Sequence, residues 1–165
     1  MILKKKINHL KIFKLYPFKD FRGKYIESFN SKKINIKFVQ DDFSYSKKNI
    51  LRGFHGDNKT WKLFTCISGK VQFGFINYNK KSKNFKKNYS FILSENSNKQ
   101  ILVPPKFGTA HLVLSKRAII HYKQSTQYGK YNQFTIHYKS ECINFNWKSK
   151  KIIVSKRDEN GILIS

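Results

Sequence analysis

Histidine is the side chain that takes up and releases protons near neutral pH, and this sequence has five, at positions 9, 55, 111, 121 and 137. His55 has the richest surroundings. It lies in Leu51-Arg-Gly-Phe-His-Gly-Asp57, a loop-to-strand junction with an arginine and two glycines close by. Glycine lets backbone approach a ligand, and arginine binds phosphate or a sugar hydroxyl. A surface histidine in a turn fits the same residues equally well. His111 follows Pro104-Pro-Lys-Phe-Gly-Thr-Ala, a turn that can aim it inward, toward a ligand or, more plainly, into a core with a backbone partner. His9, His121 and His137 have no supporting context and read as structural. A metal could be held only by His55, Asp57 and His111, because no His-x-His pair with a following carboxylate is present; no metal is expected. Cys66 and Cys142 form no CxxC and no metal spacing, and they read as reduced thiols of a cytoplasmic protein. Lys62 opens the apolar run Lys62-Leu-Phe-Thr-Cys-Ile, which would hold its ammonium at the mouth of a barrel. Taken alone, Tyr128 is an ordinary loop tyrosine and Asp158 a solvated charge near the C-terminus.

These side chains need a scaffold, and a chain of 165 residues makes it one domain, 1–165. Hydrophobic residues at 39% and aromatics at 16% are too many for a disordered chain. No apolar run approaches a membrane span, and the basic start has no apolar block behind it, which argues against a secretory signal. The net charge of +25, from 34 Lys+Arg against 9 Asp+Glu, invites a nucleic-acid partner. Arginine, the better fork for phosphates and bases, occurs only at 22, 52, 117 and 157, and the lysines are scattered. No specific nucleic-acid partner is expected, only non-specific attraction at low salt.

Short runs of β-branched and aromatic residues at 25–29, 37–40, 62–68, 71–78, 89–93, 100–103, 111–114, 118–124 and 133–138 read as strands, separated by turn residues such as Ser68-Gly69-Lys70. Val71-Gln-Phe-Gly-Phe-Ile alternates as a strand with one buried face does. Many short strands predict an all-β sandwich or barrel, and a jelly roll fits. Helical turns are expected only around 31–34 and in the Lys-rich N-terminal stretch.

Read in order, these pieces resemble the dTDP-4-dehydrorhamnose 3,5-epimerase family of cupin-fold enzymes. The matching stretches are Asp20-Phe-Arg-Gly-Lys-Tyr-Ile-Glu27, Phe38-Val-Gln-Asp-Asp-Phe-Ser-Tyr-Ser46, Leu51-Arg-Gly-Phe-His55, Lys62-Leu, Gly69, Val103-Pro-Pro-Lys-Phe-Gly-Thr-Ala-His111, 122–128 and Ser155-Lys-Arg-Asp158. Each is weak by itself; so many in one order are specific. The resemblance implies a cupin-type jelly roll (double-stranded β-helix) with short flanking helical turns. It further implies a homodimer and a cofactor-independent epimerase acting on a nucleotide-linked 4-keto-6-deoxy sugar for surface polysaccharide. It places His55 at the base position, Asp158 at its paired carboxylate, Tyr128 at the acid and Lys62 near the sugar carbonyl. Arg22, Glu27, Gln40, Asp42, Arg52, His111 and Arg157 fall on substrate-contacting positions. Asp42 stands where the family usually has Asn, and Arg157 where it usually has Lys.

The implied chemistry suits these residue types. A hydrogen alpha to a ketone is acidic because its carbanion becomes an enolate, and one C4 carbonyl serves both C3 and C5. Histidine removes the proton, a carboxylate orients the imidazole, and a lysine stabilises the enolate oxygen. Inversion needs a different acid on the opposite face, and Tyr128 or Tyr131 could be that acid. Three alternatives stand beside this expectation. Gly56-Asp57 replaces the family's usual aromatic-Gln pair, which resembles the branch acting on GDP-linked 4-keto heptoses. Asn77-Tyr-Asn79 replaces the usual Asp-x-Arg, which leaves room for a non-catalytic cupin that binds a nucleotide sugar. Net charge alone supports a nucleic-acid binder.

Overall fold

Strands dominate because β-branched and aromatic residues recur two apart and so present one face to a core. The structure, a computed structural model, describes residues 1–7 and 9–164 apart from the side chains of Lys4 and Cys142, so the expected thiol at Cys142 lies outside the described residues. The chain runs through β1 (Ile2–Ile7), β2 (Leu10–Lys14), β3 (Phe18–Asp20), β4 (Gly23–Tyr25), β5 (Gln40–Lys47), β6 (Leu51–Gly56) and β7 (Lys62–Ser68). It continues with β8 (Lys70–Asn77), β9 (Asn88–Ser94), β10 (Lys99–Val103), β11 (Phe107–Val113), β12 (Arg117–Gln124) and β13 (Phe134–Thr135). A 3-10 turn at Glu141–Ile143 and one helical turn, α1 (Lys156–Glu159), complete it.

Six strands form one sheet in the order β1-β2-β10-β7-β12-β5, and five form the other in the order β13-β6-β11-β8-β9. The hairpin β3-β4 stands apart. The two antiparallel sheets make a cupin-type jelly roll. Phe64, Ile101 and Ile120 from the first meet Val71, Phe73 and Phe75 from the second. Burial of each such side chain stabilises the fold by roughly 1.5–3 kcal/mol. Both sheets are also covered outside. A segment carrying Phe29, Ile34 and Phe38 packs on Phe13, Leu63 and Leu102, while Ile136, Ile143 and Trp147 pack with Phe54 and Ala110. This explains why every residue of β11 is buried.

Several elements differ from the sequence expectation. The Lys-rich N-terminus is not helical: it is the edge strand β1, in which Lys5 and Lys6 are exposed to water while Ile7 packs on the core. The expected strand at 37–40 only begins at its last residue, where β5 starts. At 31–34 the chain makes a turn in which the N–H groups of Lys33 and Ile34 both donate to the Asn30 carbonyl at 3.0 Å. That is a single helical turn of the expected kind, and a further one lies at α1.

Candidate active site

Residues three apart in a regular strand point to opposite faces, yet Arg52 and His55 line the same cavity of about 510 Å³. The reason is a bulge. His55 pairs with Thr109 and Arg52 with His111, so Gly53 and Phe54 together stand opposite Ala110 alone. Gly53 permits this at φ 120°, where an added Cβ would lie 2.4 Å from the Thr109 carbonyl oxygen.

His55 Nε2 stands 2.5 Å from Asp158 Oδ1. Asp158, only 2% exposed, sits in α1. The N-cap Ser155 donates its hydroxyl to Asp158 Oδ2 at 3.0 Å and accepts from the Asp158 N–H. Burial alone would raise this carboxyl. Hydrogen bonding and charge from His55, with donors from Ser155 and the Gly53 backbone, overcome burial and hold it below the ordinary aspartate value. A carboxylate only accepts, so Nε2 carries the proton and Nδ1 is the nitrogen that can act as base.

Tyr128 lies on the loop after β12 and is held at both ends. Its N–H donates to Gln40 Oε1 at 2.7 Å, and its hydroxyl accepts from Arg157 Nη1 at 2.8 Å. Tyr131 does not line the cavity. Lys62 shares the inward face of β7 with Phe64, and both line the cavity. Loss of hydration and the nearby Arg157 lower the ammonium's pKa, against an opposing pull from Asp57 and Asp42. Asp42 accepts from Gln40 Nε2 at 2.9 and 3.0 Å and from Gln124 Nε2 at 2.7 Å. His111 also lines the cavity, and its Nε2 has no hydrogen-bond partner among the described residues. Burial first, then the charges of Arg52 and His55, push its pKa down to about 3. It is therefore neutral.

Most of the expected residues thus converge: His55, Asp158, Tyr128, Lys62, Arg52, His111 and Arg157 all line one cavity. Gln40 and Asp42 bind groups on its wall. Arg22 and Glu27 are elsewhere. Arg22 pairs with Asp20 at 2.6 Å beside the tip of the β3-β4 hairpin, and Glu27 with Lys33 at 2.6 Å. Asp57, the third member of the conceivable metal triad, instead caps its own loop by accepting from the N–H groups of Lys59 and Thr60 at 2.8 and 2.7 Å. Among the described residues no group of three or more His, Cys, Asp or Glu is placed to hold a metal ion. Likewise, no described helix is long and apolar enough to cross a membrane.

Ser155, Gln124 and Gln133 belong to the site and were not singled out from sequence. Only Ser155 carried a signal, the Ser-x-x-Asp spacing of a helix cap. Chemically, a carboxylate-backed imidazole, a tyrosine hydroxyl and an ammonium around one cavity can take a proton from carbon, stabilise the resulting oxyanion and return a proton.

Known proteins share this fold and much of its sequence. The family model described as dTDP-4-dehydrorhamnose 3,5-epimerase matches residues 4–165. A dTDP-4-dehydrorhamnose 3,5-epimerase of Shigella flexneri is 32% identical, over 97% of this chain and 93% of its own. The crystal structure of dTDP-6-deoxy-D-glucose-3,5-epimerase from Legionella pneumophila, in complex with dTDP-4-keto-L-rhamnose, is 30% identical. It superposes with a TM-score of 0.91 over 98% of this chain and 90% of that one. The Bacillus anthracis dTDP-4-dehydrorhamnose 3,5-epimerase, with TDP and PPi bound, is 25% identical with a TM-score of 0.93, covering 99% of both chains.

Proposed function

Because the chain belongs to the dTDP-4-dehydrorhamnose 3,5-epimerase family, we propose that its cavity converts dTDP-4-dehydro-6-deoxyglucose to dTDP-4-dehydrorhamnose by proton transfer alone. The observation that carries this reading is the His55–Asp158 pair sharing one cavity with Tyr128 and Lys62. His55 Nδ1 takes the proton from C3 or C5; the C–H electron pair moves into the ring and onto O4 as an enolate. Lys62 stabilises that oxygen. Tyr128 delivers its phenolic proton to the opposite face, and solvent restores both groups. Arg52, His111, Gln40, Asp42 and Arg157 hold the sugar or its diphosphate, or the groups that do. Neither a metal nor an organic cofactor is required by these steps.

We further propose a homodimer working in the cytoplasm. The β3-β4 hairpin exposes Phe18 at 64%, Phe21 at 97% and Tyr25 at 75%, a surface suited to a second copy. Arg22 and Glu27 then contact substrate across that junction, which accounts for their distance from the chain's own cavity. The buried free thiol of Cys66 accords with a reducing compartment.

The test is NMR of the sugar nucleotide incubated with the protein in D2O, with a GDP-linked 4-keto heptose as the rival substrate. Deuterium at C3 and C5 with inversion of the dTDP sugar is expected. Turnover of the heptose alone overturns the substrate assignment. Light scattering at the mass of one chain overturns the dimer.

A further inference from the structure

We propose that Arg157 and Asp42 are positioning residues that fix Tyr128 as a proton donor, because each offers its neighbour hydrogen bonds of one polarity only. The proposal rests on Tyr128 being the acid and goes further by stating what sets the direction of its proton.

A guanidinium donates and never accepts. The Tyr128 oxygen must therefore accept from Arg157 Nη1 at 2.8 Å, and its own proton points to some other acceptor. Arg157 cannot easily turn away. Its Nε donates to Thr135 Oγ1 at 3.1 Å and its Nη2 to Gln133 Oε1 at 2.8 Å, so the fork is set before any substrate enters. A lysine at this position would bring a rotatable point charge without the fork.

The backbone end works by the opposite polarity. A carboxylate accepts and never donates. Asp42 takes both the Gln40 and the Gln124 NH2 groups, so the Gln40 amide is turned with its nitrogen toward Asp42. Its oxygen is left for the Tyr128 N–H at 2.7 Å. An asparagine at 42 could present its own NH2 and let the Gln40 amide flip, setting donor against donor at Tyr128. This two-ended hold matters because Tyr128 is 60% exposed on a loop, with little packing to place it.

The experiment follows deuterium uptake and configuration at C3 and C5 of dTDP-4-dehydro-6-deoxyglucose in D2O, for the full-length protein and its variants. Arg157→Gln should lower inverted product at least about tenfold more than it lowers uptake with retained configuration; a positioned acid is worth about 10²–10⁴-fold. Asp42→Asn should shift the same partition by a smaller factor, and Arg157→Lys should recover part of the loss. Arg157→Gln added to Tyr128→Phe should cost no further inversion. Equal loss of uptake and inversion overturns the proposal, as does a raised KM with the partition unchanged. Tyr128→Phe separates the two levels. If it inverts at the wild-type rate, the acid assignment fails and takes this proposal with it. If it loses inversion while Arg157→Gln does not, only the positioning role fails.

Discussion

Arg157 and Asp158 are neighbours in one helical turn, and they reach the two opposite partners of the proposed proton path: Arg157 Nη1 donates to the Tyr128 hydroxyl at 2.8 Å, and Asp158 Oδ1 accepts from His55 Nε2 at 2.5 Å. A four-residue helix thus holds both the proposed acid and the proposed base, and Ser155 caps that helix at its N-terminus.

Asp158→Asn should lower deuterium uptake and inversion together, by roughly 10²–10⁴-fold, because the imidazole loses the charge that orients it and stabilises it when protonated. His55→Ala should abolish both. Tyr128→Phe should differ from either by keeping uptake and losing inversion. Proton NMR in D2O reads all three, and normal uptake by His55→Ala would end the mechanism.

Stability should fall with acid before any carboxylate titrates. The folded-state pKa of His111, about 3, lies well below its ordinary 6.5, so the unfolded chain binds the extra proton first. The contribution is complete above about pH 6.5 and is lost as pH falls toward about 3, a span of up to several kcal/mol. The Asp158 carboxyl, also lowered, acts with the same sign further down, below the usual aspartate range. Urea midpoints between about pH 6.5 and 4.5 should therefore slope downward with acid, and His111→Gln should flatten that slope. An unchanged slope would mean His111 is accessible to protons in the folded state.

Gly56→Ala should be costly, roughly 1–3 kcal/mol or more. The new Cβ would meet the Phe107 carbonyl oxygen at 2.3 Å and the Phe134 ring at 2.4 Å. The ring can be trimmed but the carbonyl cannot, so Phe134→Leu should restore only part of the loss. Full rescue in urea denaturation would place the whole clash on the ring.

Turnover should survive exhaustive chelation, since Asp57 spends its carboxylate on the N–H groups of its own loop and does not join His55 and His111. Loss of activity that one added divalent metal restores would refute this.

The sequence was most legible where local pattern and burial agree. The run at 62–68 coincides with β7, and 71–78 lies within one residue of β8, where Phe73 and Phe75 join Phe64 in one core as expected. Gln72 and Ile76 are buried too, so β8 has two covered faces and not one. It was least legible where long-range contacts decide. β1 looks like a charged helix-former and becomes a strand only by pairing with β2. Asp158 looks like a tail charge and is buried only because β6 brings His55 to it. His55, Tyr128 and Lys62 could be gathered into one site through the family's order of motifs, but their hydrogen-bond polarity could not. Arg22 and Glu27 match the family's motif yet lie away from the cavity, paired with Asp20 and Lys33. Matching a motif residue by residue does not by itself place a side chain in the site.

The bulge in β6 separates spacing from phase. A strand records which way a side chain faces as odd or even, and Leu51-Arg-Gly-Phe-His55 contains one residue that the count skips. A chain reading Leu-Arg-Phe-His, one shorter and without a bulge, would present the same arginine and histidine to the same side of a regular ladder. The same five residues laid flat against β11 would turn one of the pair outward. Parity is therefore what this chemistry fixes at β6, and length there is free to change only when the bulge changes with it.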